Sequence, residues 1–450
     1  MGRKQRQKAL LAPVQAAGIV GAGGAGFPTH VKLASKADAI IANGAECEPL
    51  LEVDGQLLTY HLEDVLTGLE AAQEAVGAEC AYLAVKAKHK PLVEKLRQVA
   101  AIRSWPKIIS LPDVYPIGDE QILVHEVLGR IVPPGGLPLQ VGAVVINIET
   151  LYNIARALAG EPVTATYLTV HGAVAEPFTT LAPIGTAVGD ILALARPLPA
   201  PDDFAVIEGG PMMGHLIHDL RQPVTKTTKG LVVLPKDHII VTGLQSQGAN
   251  LRRAYSVCSQ CTKCTDLCPR HMLGHPLWPH RIMRGMAQGR PQGEIALSAF
   301  LCSECGICDN YACFMGLSPR QVNRRVKAWL LAEGLGKPSF TGLDQARDSW
   351  PRGRVPTSRL VYRLDLARWV KPAPLRDSLP APTSVEIPLK QHVGVTAQPI
   401  VRVGDPVSLG SMVAQVPDGL LGAAVHSSIE GIVSSVSDRI ITIRRGGEGG

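Results

Sequence analysis

Two short cysteine runs constrain this chain more than anything else in it. The first is Cys258-x2-Cys261-x2-Cys264-x3-Cys268, closed by Pro269; the second is Cys302-x2-Cys305-x2-Cys308-x4-Cys313, followed by Phe314. Three thiolates at two-residue intervals wrap one face of an iron–sulfur cubane, and in two-cluster ferredoxins the fourth serves the other cluster. That crossing predicts one [4Fe–4S] cluster on Cys258, Cys261, Cys264 and Cys313, and a second on Cys302, Cys305, Cys308 and Cys268. The extra residue before Cys313 departs from the pattern, but no other cysteine lies near enough in sequence to replace it. Structural zinc is the competing reading, and it takes its four ligands as two pairs rather than as three evenly spaced cysteines plus one. Two neighbouring clusters that use all eight thiolates leave no iron open to substrate, so the expectation is an electron relay.

Only Cys47 and Cys80 lie outside the runs. Clustered cysteines in a long chain favour metal binding in a reducing cytoplasm over a disulfide framework. At 450 residues the chain should divide into two to four domains. A formal net charge of +6 with no concentrated basic tract excludes a nucleic-acid footprint, while permitting contact with acidic carriers of the flavodoxin or ferredoxin kind. Arg3, Lys4, Arg6 and Lys8 precede the apolar run Ala9–Val20, superficially like a signal peptide. Pro13 and Gln15 break that run, and it leads into a glycine-rich motif, so a short helix is expected instead. No stretch reaches the ~18 to 20 apolar residues of a transmembrane helix, and a soluble protein is expected.

Around the cysteines the pattern is helical. Val322, Val326 and Trp329 or Leu330 share one face, with Arg324, Arg325 and Lys327 largely opposite as a solvated face. His271, His275 and His280 read as capping or surface histidines rather than ligands.

Near the start, Gly21-Ala22-Gly23-Gly24-Ala25-Gly26 forms a G-x-G-x-x-G, by itself a weak signal. Small residues let backbone N–H groups approach a phosphate, and Pro28-Thr29 suits a helix start just beyond. Ala39–Asn43 reads as a buried strand running into Asn43-Gly44-Ala45-Glu46-Cys47-Glu48-Pro49; Tyr115–Glu120 and the strand Ala143–Thr150, with Asn147, Glu149 and Thr150, supply further polar ends. Polar groups at such strand ends are where α/β sheets bind nucleotides.

Together GAGGAGFPTHVKL, NGAECEP, YPIGDEQ and Gly209-Gly210-Pro211-Met212-Met213-Gly214 resemble the flavin-binding family that includes the NADH-oxidising component of respiratory complex I, the C-type components of Rnf complexes and the cobalamin reductases of propanediol-utilisation microcompartments. The resemblance implies that Gly21, Gly23, Gly24 and Gly26 cradle the FMN phosphate with Lys32 nearby. It implies that Asn43, Glu46 and Asn147 contact the flavin or its ribityl chain. Phe27 is expected to stack on nicotinamide or flavin, and Glu120 to approach NADH. Complex I relatives carry paired Asn and Glu–Glu where this chain has Ile146-Asn147 and Asp119-Glu120, which departs at the NADH contacts.

The resemblance also implies a multidomain α/β architecture. An FMN- and NADH-binding α/β domain would span 1–160, a β-grasp domain 161–245 and a helical ferredoxin-type two-cluster domain 246–335. Residues 336–382, rich in Pro, Arg and Ser, read as an extended linker. A C-terminal barrel-sandwich domain would span 383–450, with no lysine at its Pro417-Asp418-Gly419 tip to carry lipoate or biotin. Met212 and Met213 read as core fillers. The C-terminal place of the barrel-sandwich unit resembles the microcompartment enzymes, since the Rnf relatives carry theirs at the N-terminus. The implied function is NADH-dependent reduction of a corrinoid through FMN and two [4Fe–4S] clusters, supporting a B12-dependent diol dehydratase. The implied location is cytoplasmic, inside a microcompartment, with an adenosyltransferase and shell proteins as further partners. An electron-input component of a membrane NADH:ferredoxin (Rnf-like) complex and a flavin-free ferredoxin-like relay are the alternatives.

Overall fold

The structure, a computed structural model, describes residues 3–198, 202–245, 256–376 and 379–446, with Ala200 and Arg253. Five strands come first: Ala39–Gly44 (β1), Cys80–Lys86 (β2), Lys107–Leu111 (β3), Val114–Tyr115 (β4) and Ala143–Asn147 (β5). Four of them form a parallel sheet in the order β3-β2-β1-β5. Ile40, Ile41 and Ala42 of the central β1 are fully buried, as a continuous apolar run in a parallel strand requires.

Around the sheet lie Arg3–Ala16 (α1), Thr29–Leu33 (α2), Val53–Tyr60 (α3), Leu62–Val76 (α4), Lys90–Arg103 (α5), Glu120–Leu128 (α6) and Ile148–Leu158 (α7). α4 buries Leu62, Val65, Leu66, Leu69, Ala72 and Val76 at helical spacing and stops at Gly77, whose left-handed φ of 67° is the usual glycine C-cap geometry. Gly68 of α4 lies against the Leu151 carbonyl of α7, where a Cβ would collide. The chain lays β2 and β3 on one side of β1, then returns to put β5 on the other. That reversal opens a crevice at the C-terminal ends of β1 and β5, the general ligand position of open α/β sheets.

The second sheet contains Ala165–Gly172 (β6), Phe178–Pro183 (β7), Phe204–Glu208 (β8), His215–Ile217 (β9) and Gly230–Pro235 (β10), with helix Val188–Ala195 (α8) after the first hairpin. β6 and β7 pair antiparallel, and β10 enters beside β6 in parallel. Met212 is buried between this unit and its neighbours, whereas Met213 is exposed, so only the first is a core filler.

The cysteine-bearing segment is built of short helices and loops around Leu277, Ile282, Met283, Met286, Leu317, Val322, Val326 and Leu330. Its longest helix spans Pro319–Ala332 and turns Arg324 and Arg325 to solvent.

Residues 336–382 depart from the extended linker expected of them. Val355–Pro356 (β11) pairs with β4, Leu375–Arg376 (β12) extends the second sheet beside β7, and Thr357–Arg363 is helical. Trp350, Val355, Leu360, Leu364 and Leu366 are buried, and the Trp350 indole donates to Glu126 at 3.0 Å. Proline and arginine abundance hid these well-spaced apolar anchors, which make the segment a packed strap.

The C-terminal unit folds two small antiparallel sheets. One joins Ser384–Pro388, Ile440–Arg444, Gly431–Val436 and Pro406–Val407; the other joins Gln398–Pro399, Met412–Gln415 and Val425–His426. Val385 and Ile387 point inward while Glu386 faces out, and they share one continuous core with the first unit. Among the described residues, no helix is long and apolar enough to cross a membrane.

Candidate functional site

The glycine loop closes on itself through the Gly21 N–H, which donates to the Phe27 carbonyl at 2.9 Å. It is pinned to α7 by the Ala22 N–H, which donates to the Thr150 hydroxyl at 3.0 Å. The four glycines have different surroundings. A Cβ at Gly24 would meet no atom within 4 Å, whereas one at Gly23 would press on the Asn147 side chain at 3.2 Å. Gly26 faces away from the crevice toward the C-terminal unit, 2.9 Å from the Gln391 carbonyl at its Cβ position, with a left-handed φ of 71°. Gly21 sits in ordinary contact with Phe27, and the Phe27 side chain is exposed at the loop's end. Lys32 donates to Glu120 at 2.7 Å and to the Val145 carbonyl at 2.6 Å, so these two site candidates neutralise each other.

Asn147 stands where β5 becomes α7. Its carbonyl oxygen accepts from the Glu149 N–H, capping the helix, and its amide donates to Asp54 at 3.0 Å. Asp54 begins a buried ionisable group. The N–H groups of Asp54 and Gly55 donate to Glu46, at 2.9 and 3.3 Å. Burial and the neighbouring Asp54 push the Glu46 carboxyl well above the usual carboxylate range; burial likewise raises Asp54 and lowers Lys229. Lys229 pairs with Glu149, which also accepts from Thr166 and the Tyr167 N–H. Acids and base thus form one ionisable cluster that touches Asn147 and, through it, Gly23.

Asn43 caps the other side of the crevice. Its amide donates to the Gly118 carbonyl at 2.9 Å and its oxygen accepts from the Ala45 N–H. The Gly118 N–H in turn donates to the Cys47 sulfur at 2.7 Å, and burial raises that thiol to about 12. Glu48 is half-buried, its pKa raised to about 7 by desolvation, and accepts from the Met212 and Met213 N–H groups at 2.8 and 3.0 Å. NGAECEP, YPIGDEQ and GGPMMG therefore converge in one place.

The eight cysteines separate into two cavities. One is lined by Cys258, Cys261, Cys264 and Cys313, the other by Cys268, Cys302, Cys305 and Cys308. Among the described residues no three metal-binding side chains converge on a point that would hold one ion. Four sulfurs spread around a cage suit a cubane better than a mononuclear zinc site. Donors are in place for bound sulfur: the Leu317 N–H to Cys313 at 3.3 Å, the Glu304 N–H to Cys302 at 3.4 Å, and the Gln260 amide to Cys258 at 3.4 Å. Burial first, then neighbouring sulfurs, raises Cys264 to about 12. Such thiols ionise when iron binds, releasing protons as it does so. His271, His275 and His280 are engaged by the Leu277 carbonyl, the Val132 carbonyl and the Thr265 hydroxyl, at 3.0, 3.0 and 2.7 Å.

Sequence reasoning missed Asp54 and Lys229, and singled out Glu149 and Thr150 only as polar groups at the end of a strand. Neither Asp54 nor Lys229 belongs to a glycine motif, and they meet Glu149 only because α3, α7 and the lead-in to β10 converge.

Residues 14–156 match the Nuo51 FMN-binding domain family, 257–318 the 4Fe-4S dicluster domain, and 372–448 the RnfC barrel sandwich hybrid domain. The chain therefore has a multidomain α/β architecture with an FMN-binding domain, a two-cluster domain and a barrel-sandwich domain. It is 44% identical to cobalamin reductase PduS of Salmonella typhimurium over 439 residues, 96% of each chain, and 44% identical to that of Citrobacter freundii over 437 residues. To the C-type component of the Na(+)-translocating ferredoxin:NAD(+) oxidoreductase complex of Acetobacterium woodii it is 37% identical, over 57% of this chain and 56% of that one. An NAD+-reducing [NiFe]-hydrogenase in the H2-reduced state shares the fold, with a TM-score of 0.50 at 24% identity over 74% of this chain and 64% of the other. With near-full-length identity of this order on both sides, the chain belongs to the PduS cobalamin reductase family.

Proposed function

We propose that this protein oxidises NADH at an FMN held in the β1–β5 crevice, passes the electrons through two [4Fe–4S] clusters, and reduces cob(III)alamin or cob(II)alamin. The observation that carries this reading is the meeting of a glycine crevice and two four-cysteine cavities in a chain 44% identical to cobalamin reductases over 96% of its length. When bound, the flavin takes a hydride and releases single electrons, and the clusters carry them onward.

The chain's own residues then have these parts. Gly23 and Gly24 bring backbone N–H groups to the phosphate, while Gly21 closes the loop through its bond to Phe27; the open space beside Gly24 supports this. Asn43, Glu46 and Asn147 line the flavin, and Phe27 covers it from the exposed end of the loop. Lys32 holds Glu120 in place beside the nucleotide. The raised Glu46 carboxyl holds a proton near the crevice, where a reduced flavin needs one. The first cysteine cavity holds one cluster on Cys258, Cys261, Cys264 and Cys313, and the second holds the other on Cys268, Cys302, Cys305 and Cys308.

The sheet of β6–β10 is read as the β-grasp module, and the domains as 1–160, 161–245, 246–335 and 383–450 joined by the 336–382 strap. The place of action is a microcompartment in the cytoplasm, where the product keeps a B12-dependent diol dehydratase active. An Rnf-type role is less well supported, because the identity to the Rnf-type relatives is lower and spans little more than half of this chain.

Anaerobic purification, identification of released flavin, and the rate of NADH-driven hydroxocobalamin reduction test the proposal. FMN-dependent corrinoid reduction is expected. Reduction of flavin and clusters without corrinoid turnover would move the acceptor elsewhere.

A further inference from the structure

We propose that electrons enter the relay at the Cys268–Cys302–Cys305–Cys308 site, across the contact between Tyr115 and Cys305, and leave from the Cys258–Cys261–Cys264–Cys313 site. This order rests on the reading of both cavities as cluster sites.

The two sites have different neighbours. The Tyr115 hydroxyl donates to the Cys305 carbonyl at 2.7 Å. Tyr115 is three residues from Gly118, whose carbonyl receives the Asn43 amide and whose N–H reaches Cys47, so bonded atoms run unbroken from the crevice to a cluster ligand. Pro269 and Ile307, flanking Cys268 and Cys308, line a small cavity with Tyr115, Pro116 and Ile117. Cys47 and Cys305 both pack on the apolar cluster that contains Tyr115, Met212 and Ile307. The carbonyl of Met212 lies 2.9 Å from the Cβ position of Gly306, and Arg270 pairs with Asp119 at 2.8 Å, clamping this side of the cysteine segment to the crevice.

Among the described residues the other site has no hydrogen bond to the crevice segments, and its one outside neighbour is a pocket that Cys313 shares with Pro211, Ile239 and Leu364. Every residue lining it lies between Cys258 and Pro319, Cys261 is exposed, and Phe314, next to Cys313, is exposed too. Electron tunnelling falls off exponentially with edge-to-edge distance and is faster through packed, bonded atoms than across gaps. The site bonded to the crevice segments is thus placed to receive, and the site with Cys261 at the surface to deliver to a large soluble acceptor. Each transfer moves one electron, oxidising the donor by one and reducing the acceptor by one, with no bond made or broken. Tyr115 is a positioning residue in this scheme, because its hydroxyl holds the Cys305 loop against β4.

Freeze-quench electron paramagnetic resonance with iron analysis separates the steps. Dithionite-reduced wild type should show two interacting [4Fe–4S] signals; their absence would overturn both the order and the reading beneath it. In Cys261→Ala, NADH should reduce the remaining cluster within twofold of the wild-type rate while hydroxocobalamin reduction falls at least tenfold. In Cys305→Ala, the remaining cluster should be reducible by dithionite, yet at least tenfold slower by NADH. The opposite pattern in this pair would overturn the order. Should Cys305→Ala fail to fold, Tyr115→Phe decides. With iron content unchanged, NADH-driven appearance of the first cluster signal should slow at least threefold, and an unchanged rate would overturn the proposed input route.

Discussion

The Nζ of Lys226 donates to the carbonyl oxygen of Ala424 at 2.7 Å, and equally to that of Gly18. One buried side chain from the loop before β10 therefore ties the lead-in of the glycine loop to the C-terminal unit. The Lys226 N–H completes the join by donating to the Gln391 side chain at 3.0 Å. A neutral amine has two N–H bonds, one for each carbonyl, whereas an ammonium would carry a third with no acceptor. Burial accordingly lowers this lysine to about 7.

A pH dependence follows from that burial. Between about pH 7 and the ordinary lysine value, the unfolded chain holds a proton on Lys226 that the folded chain has released. Stability conferred by this residue therefore rises with pH across that window, by at most about 1.4 kcal/mol per pH unit. Below pH 7 both states are protonated and the contribution is flat at its lowest level. Lys226→Met removes the titration, so the stability gap, wild type minus variant, should grow from pH 7 to 9. Anaerobic denaturant midpoints for both proteins check this, and parallel curves would show that the lysine stays charged.

The glycines of the loop should separate by role. Gly24→Val places its side chain where no protein atom lies, so it should spare folding and both clusters while expelling the flavin. Gly26→Val, at a left-handed φ and against the Gln391 carbonyl, should instead lower the melting temperature. Flavin content by absorbance, iron content and thermal melts distinguish the two. Flavin retained in Gly24→Val would remove that residue from the cradle.

What was legible in the sequence depended on how locally each feature is encoded. Cysteine spacing fixes a loop locally, and Cys258, Cys261, Cys264 and Cys313 line one cavity while Cys268, Cys302, Cys305 and Cys308 line another. β1 and β5 announced themselves as unbroken apolar runs ending in asparagine. By contrast, Gly26 belongs to the same motif as Gly24 yet packs against Gln391, which lies hundreds of positions away in sequence and in a different unit. The Asp54–Lys229 neighbourhood joins α3 to the lead-in of β10, and no local period records such a meeting. The strap at 336–382 was obscured for another reason: its prolines and arginines dominate its composition, while well-separated apolar residues such as Trp350, Val355, Leu360, Leu364 and Leu366 decide that it packs.

Helix packing under the crevice gives a sharper stability test. The backbone of α4 approaches α7 at Gly68, where any Cβ would enter the Leu151 carbonyl. Gly68→Ala adds helix propensity but must push the two helices apart, and overpacking of this kind costs about 1–3 kcal/mol. Net destabilisation is expected. A melting temperature at or above that of wild type would mean that the helices are free to shift at little cost.

Asn147 carries two duties that substitution can divide. It caps α7 through its carbonyl oxygen, and it donates to Asp54 through its amide. Asn147→Ala should lose about 1 kcal/mol from the missing cap. It should also raise Asp54 further, because the amide hydrogen bond is one of the interactions holding that carboxyl down. Asn147→Ser restores a good capping oxygen on a side chain too short to reach Asp54, so stability should recover while flavin affinity stays at least tenfold weakened. Flavin titration by fluorescence quenching, run beside thermal melts on both variants, reads the two effects separately. If flavin binding recovers together with stability in the serine variant, Asn147 acts through helix capping alone and has no direct part in lining the flavin.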